Sequence, residues 1–86
     1  MSGRPQISKQ IREALAKRLH RGVSTIELHQ RLREDLGLDS MAMIELLFDV
    51  EEAFDLEIPD GDFHKLSTVG SVIQYVEAKA NLSPLS

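Results

Sequence analysis

Hydrophobic residues recur at helical spacing in the first quarter of the chain. Four of them follow each other at intervals of four residues, which places them on one face of a helix: Ile7, Ile11, Leu15 and Leu19. Pro5 suits a first helical turn, and Gly22 suits a position just beyond a last turn. The pattern predicts a first helix over residues 5–20 that stops after His20 and Arg21.

A second apolar stripe indicates a helix near the other end of the chain, over residues 68–81. Its members stand at positions i, i+3, i+4 and i+7: Val69, Val72, Ile73 and Val76. Ser67 or Thr68 can cap its start. Residues 60–65 predict a short turn or helix, and residues 82–86 a frayed tail.

The strongest apolar segment lies between these two stripes. Ten of the fourteen residues 41–54 are apolar, whereas an ordinary surface helix needs about three or four in two turns. Asp39 or Ser40 can cap this helix, predicted over residues 40–54, and the Ile58-Pro59 pair follows its end. Such a helix packs on several neighbours, and its apolar excess predicts a cavity or a docking surface as well.

The three helices and the short fourth one predict an all-α bundle. Residues 22–39 form a long connection whose spaced apolar residues indicate that it is packed down, with room for a turn of helix. Gly37 suits a positive φ near its close. No segment alternates with a period of two long enough to predict a strand. We therefore expect one domain over residues 1–86, with three main helices and one short helix.

Charge is distributed unevenly along the chain. Residues 1–33 carry a net charge of +6 and residues 34–86 a net charge of −10. The acidic part suits basic protein partners and opposes nucleic-acid binding. The sequence has no cysteine and no apolar run near the roughly 20 residues that span a bilayer, so we expect a cytoplasmic monomer. No residue spacing suggests a metal site.

Ser40 allows three interpretations. It can cap the second helix without further function. It can be a nucleophile, although no Gly-x-Ser-x-Gly elbow or local base accompanies it and the histidines stand elsewhere, at 20, 29 and 64. It can also be a covalent attachment point, where a phosphate ester would lie at the positive end of a helix. The first and third interpretations remain, and we expect no catalytic residue.

One face of the second helix combines acids with aromatic and sulfur side chains. Glu45, Asp49 and Glu52 share this face, with Phe48 beside them and Met41 toward Ser40. An apolar side chain framed by carboxylates suits docking to a basic patch. The alternative is a solvated acidic face that serves solubility alone.

The segment EDLGLDSMAMIELLFDVEEAFDLEIPD closely resembles the acyl carrier protein family, and the likeness extends over residues 24–80. The matching positions are Glu34, Asp35, Leu36, Gly37, Asp39, Ser40, Glu45, Leu46, Glu51, Glu52, Phe54, Ile58, Pro59 and Asp60. The resemblance implies that a phosphopantetheinyl transferase esterifies Ser40 with 4′-phosphopantetheine, whose thiol carries cargo as a thioester. It also implies docking of synthases, transferases and acyl- or aminoacyl-activating enzymes. Together with the acidic face, it gives the docking candidates Asp39, Met41, Glu45, Phe48, Asp49, Glu51 and Glu52.

Departures from the family pattern point away from a housekeeping role in fatty acid biosynthesis. Met41 stands where the family usually has leucine, and the first helix is unusually basic. We therefore expect a carrier, not an enzyme, that serves a specialised lipid or secondary-metabolite pathway. The alternatives are an aminoacyl carrier of the D-alanyl type and a helical adaptor whose serine stays unmodified.

Overall fold

Three α-helices and two short 3₁₀ helices make up the computed structural model, which describes the backbone of residues 4–81 and the side chains of residues 7–80. The α-helices are α1 (Arg4–Leu19), α2 (Ser40–Phe54) and α3 (Val69–Asn81); the 3₁₀ helices are Val23–Thr25 and Asp60–Lys65. The expected all-α fold class is confirmed. Within residues 4–81 the only extended pairing is one isolated bridge. The predicted tail, 82–86, lies outside the described residues.

Apolar side chains from all three α-helices meet in one core. The predicted stripes of α1 and α3 face each other across it, and α2 adds Leu46, Leu47 and Val50. The long connection between α1 and α2 contributes four buried residues: Ile26, Leu32, Leu36 and Leu38. Burial of these side chains explains why so long a connection lies against the bundle.

The end of α1 differs from the sequence-based expectation. His20, not Gly22, adopts the left-handed conformation, with φ 57°, while Gly22 is extended at φ −72°. The amide of Arg21 donates to the carbonyl of Ala16 over 2.9 Å, the 6→1 bond that closes a Schellman motif. A histidine can therefore end the helix here, at a conformational cost of about 1–2 kcal/mol relative to glycine.

The connection is tied to the start of α3 by a backbone junction between residues 28–32 and 67–70. Three hydrogen bonds form it, Leu32 N to Ser67 O (2.9 Å), Val69 N to Gln30 O (3.1 Å) and Gly70 N to Leu28 O (2.9 Å). A Cβ atom at Gly70 would lie 3.1 Å from the Leu28 carbonyl oxygen. Glycine therefore lets the two backbones approach this closely.

A reciprocal cap fixes the start of α3. The Thr68 hydroxyl accepts from the Ser71 amide over 3.0 Å, and the Ser71 hydroxyl accepts from the Thr68 amide over 2.9 Å. The arrangement is that of a capping box with serine in the place of the usual glutamate. Of the two residues that could cap this helix, Thr68 does so.

A hydrogen bond between two side chains holds the 3₁₀ helix Asp60–Lys65 against α3. The Tyr75 hydroxyl donates to Asp62 Oδ2 over 2.6 Å. This bond lowers the pKa of the Asp62 carboxyl, and partial burial, with the same bond, raises the pKa of Tyr75 to about 12.

This bond predicts a pH window for stability. Because the pKa of Asp62 is lower in the folded chain, its contribution is present above the unfolded value of about 3.9 and falls as the pH drops through the folded value. Because the pKa of Tyr75 is raised, its contribution is present below about 10 and falls as the pH approaches about 12. Urea titrations should show a destabilisation by Tyr75→Phe that is constant from about pH 5 to 9 and shrinks outside this range. An equal destabilisation at pH 3 and pH 7 would contradict it.

Candidate functional site

Ser40 is exposed in the first turn of α2, and its neighbour makes the helix cap. Asp39 is extended, with φ −86° and ψ −177°, and its Oδ1 accepts from the Ala42 amide over 2.8 Å. The sequence left Asp39 and Ser40 as equal candidates for this position. Because Asp39 makes the cap, the Ser40 hydroxyl is not needed to cap the helix.

The turn before α2 sets the position of Ser40. Gly37 has φ +77°, as its place in the sequence predicted, and the Leu38 amide donates to the Leu32 carbonyl over 3.0 Å. Leu36 and Leu38 on either side are buried. A glycine in the left-handed region thus lets both leucines point into the core while the chain turns toward Ser40.

A cleft of about 390 Å³ opens beside Ser40. Its apolar lining comes from α2, from the second 3₁₀ helix and from the segment that follows it, and polar side chains from the connection also line it. The lining residues are Arg33, Glu34, Ser40, Met43, Ile44, Leu47, Phe63, His64, Leu66 and Ser67. Its size falls within the range of small-molecule sites, and it accounts for part of the apolar excess of α2.

His64 lines the same cleft as Ser40, which bears on the nucleophile interpretation. No hydrogen bond joins the two side chains in the part of the chain that the structure describes. A serine nucleophile needs a base within hydrogen-bond reach and a third group that orients the base.

An exposed apolar strip runs along the outward face of α2, formed by Met41, Ile44 and Phe48. Their exposed fractions are 65%, 39% and 57%. The sequence singled out Met41 and Phe48 for this face; Ile44 was missed, although its spacing of three from Met41 and four from Phe48 could have found it. Side chains this large and this exposed, arranged contiguously, are typical of an interaction site.

Two of the acids beside the strip are paired within the chain. Arg18 of α1 reaches across to α2, where its Nη1 lies 2.9 Å from Glu45 Oε1 and its Nη2 lies 2.7 Å from Asp49 Oδ2. The hydrogen bond to Asp49 is the main cause of a raised Arg18 pKa. No pattern in the sequence indicates this contact, because it depends on how α1 and α2 pack.

The other acids of α2 differ in their surroundings. Glu51 is half-buried, and its Oε2 accepts from the Ile58 amide over 2.7 Å, which fixes the segment after α2. Glu52 is exposed. Asp39 and Ser40 are exposed at the start of the helix. Ser40, Met41, Phe48 and Glu52 are thus accessible together, while Glu45, Asp49 and Glu51 have partners inside the chain.

The described residues form neither a metal-ion cluster nor a membrane-spanning helix. Among their side chains, no three His, Asp or Glu groups come together in a way that could hold a metal ion. Between residues 4 and 81, every helix is too short or too polar to cross a membrane.

Comparison with known proteins places this chain in a family. The family model described as "Phosphopantetheine attachment site" matches residues 9–76. An acyl carrier protein from an Exiguobacterium species is 42% identical over 74 residues, covering 86% of this chain and 94% of the relative. The acyl carrier protein of Thermotoga maritima is 32% identical over 79 residues, covering 92% and 98%.

A solved structure shares the fold. The acyl carrier protein of Enterococcus faecalis superimposes with a TM-score of 0.78 over 91% of this chain and 98% of the other, at 23% identity. That likeness shows the fold alone. The family model and the two relatives match most of the chain, and the chain therefore belongs to the acyl carrier protein family, whose cofactor is phosphopantetheine and whose members are carriers, not catalysts.

Proposed function

We propose that Ser40 is the attachment point of 4′-phosphopantetheine and that this chain carries acyl intermediates between partner enzymes. The observation that supports the proposal most directly is an exposed serine in the first turn of α2, beside an apolar cleft. The residues present fit the group, since Asp39 makes the cap and leaves the Ser40 hydroxyl available.

Residues around Ser40 suit a phosphate ester. The first turn of α2 provides the positive end of a helix dipole, and Arg33 brings a guanidinium to the cleft. Asp39, one residue before the serine, opposes them with its own negative charge. When attached, the group supplies a flexible arm that ends in a thiol, the reactive group that the cysteine-free chain lacks.

The lining of the cleft favours an acyl cargo over an aminoacyl cargo. Met43, Leu47, Phe63 and Leu66 present apolar atoms, and a charged amino group placed among them would lose its hydration. An acyl chain would instead gain about 0.8 kcal/mol for each methylene that it buries. A D-alanyl-type carrier is the second candidate function. The basic first helix is the sequence feature that points away from a role in fatty acid synthesis.

The partners implied by this function are a phosphopantetheinyl transferase that loads Ser40 and synthases or transferases that use the cargo. The apolar strip and the exposed Glu52 offer them an apolar contact with an acidic neighbour. We propose that the chain acts in the cytoplasm as a monomer and serves a specialised pathway.

Incubation with coenzyme A and a phosphopantetheinyl transferase tests the proposal. We expect the mass to rise by one phosphopantetheinyl group, with fragmentation locating it on Ser40. Ser40→Ala should show no increase, whereas Ser67→Ala, which alters the other serine of the cleft, should be modified like the wild type. If a transferase that modifies a known carrier leaves the wild type unchanged, the unmodified adaptor is the better description.

A further inference from the structure

Arg18 occupies the acidic part of α2 that lies next to the apolar strip. Its two terminal nitrogens contact different carboxylates, Glu45 and Asp49, at 2.9 and 2.7 Å. These acids stand one helical turn apart, so the planar guanidinium spans them with two charge-assisted hydrogen bonds. A cation from another protein would meet carboxylates that already have a partner.

Among the cations of α1 whose side chains the structure describes, Arg18 is distinguished by this contact. Lys17 is exposed and lies next to Arg18 in sequence, but among the described residues no carboxylate lies within ion-pair distance of it. Arg12 is turned toward the connection, where its Nε donates to the Ile26 carbonyl over 3.1 Å. Contact with the acids of α2 is therefore a property of Arg18 and not of the general positive charge of α1.

We propose that Arg18 is a specificity-determining residue for partner enzymes, an inference that rests on the proposed carrier function. Arg18 disfavours enzymes that dock by placing a cation on Glu45 and Asp49, because such docking must first break both of its hydrogen bonds. It favours enzymes that bind the apolar strip through an apolar pocket and place a cation near Glu52. Specificity of this kind comes from discrimination against the wrong partner.

The expected effect on partner binding is that of an exposed ion pair with two contacts. A single exposed ion pair is weak, and two of them together correspond to a change in a rate or binding constant of up to about tenfold. Release of Glu45 and Asp49 from Arg18 should therefore increase docking of a basic partner by roughly three- to tenfold at low salt. The gain should diminish as salt screens the exposed carboxylates.

The test compares Arg18→Gln with Lys17→Gln, which removes the same charge one residue away. The measurement is kcat and KM for modification by a phosphopantetheinyl transferase with a basic docking surface, in about 20 mM and about 500 mM salt, which brackets the useful range of screening. We expect Arg18→Gln to lower KM by roughly three- to tenfold relative to Lys17→Gln, with kcat unchanged, because docking affects binding and not chemistry. Circular dichroism should show both variants folded.

A double-mutant background makes the result specific to the contact. In Glu45→Gln/Asp49→Asn, Arg18→Gln should give no gain over Lys17→Gln, because the acids that it frees are gone. Equal KM values for the two single variants in the native background would overturn the proposal, as would a gain that survives in the double background. If no variant, nor the wild type, is modified at all, the carrier function fails and takes this inference with it; modification at equal rates removes the inference alone.

Discussion

Leu46→Ala is expected to lower the free energy of unfolding by about 2–5 kcal/mol, the usual range for a leucine truncated in a core. The Leu46 side chain is 0% exposed and lies in the middle of α2, where it contributes to the core shared by all three helices. Removal of its branched end leaves a cavity that neighbours on several elements cannot fill together. Because small domains are stabilised by about 5–15 kcal/mol in total, the loss is a large fraction.

Urea titration followed by circular dichroism measures this effect, and Phe48→Ala is the matched control. Phe48 stands two residues further along α2 but is 57% exposed. Its truncation should change the free energy of unfolding by no more than about 0.5 kcal/mol. Similar losses for the two variants would mean that Phe48 packs into the bundle and would remove it from the candidate docking surface.

Combined truncation of the apolar strip, Met41→Ala with Phe48→Ala, should lower kcat/KM for phosphopantetheinylation by about tenfold or more. Exposed aromatic and sulfur side chains that become buried in an interface contribute most of its binding energy, and a single important one contributes about 2 kcal/mol. Stability should be nearly unchanged, since both side chains are largely exposed before docking. Steady-state kinetics with the transferase and coenzyme A give the measurement.

Leu28→Ala is the control for that experiment. Leu28 is 56% exposed, nearly the same as Phe48, but belongs to the connection that meets α3 and not to α2. Its truncation removes exposed apolar surface at a different place and should leave kcat/KM within about twofold of the wild-type value. A decrease as large as that of the double variant would show that general surface hydrophobicity, and not the strip, governs the reaction.

Local patterns in the sequence were sufficient to anticipate the course of the chain. The i, i+4 stripe of α1 and the i, i+3, i+4 stripe of α3 both face the core, since periodicity encodes a buried face directly. The positive φ of Gly37 could be anticipated for a similar reason, because glycine has little steric restriction there. The ends of the helices were harder to predict, because His20 adopts the left-handed conformation for which Gly22 is better suited.

The site was only partly predictable, because some of its properties depend on contacts between distant residues. Ser40 and the accessible Met41 and Phe48 follow from one short segment. The pairing of Arg18 with Glu45 depends on residues 27 positions apart, and the bond from the Ile58 amide to Glu51 depends on how the chain folds back after α2. A sequence pattern shows that a residue is acidic, but not whether its carboxylate is already paired or hydrogen-bonded within the fold.

The junction between residues 28–32 and 67–70 means that the two sides of the cleft are held in place by different contacts. Ser67 lies on the side held by backbone hydrogen bonds to the connection, whereas Phe63 and His64 belong to a 3₁₀ helix with no buried residue. We therefore expect a guest too long for the cleft to displace the 3₁₀ helix, which the side-chain bond between Asp62 and Tyr75 holds against α3, before it displaces the opposite side. On this expectation, the six residues Asp60–Lys65, and not expansion of the whole bundle, limit the length of the cargo.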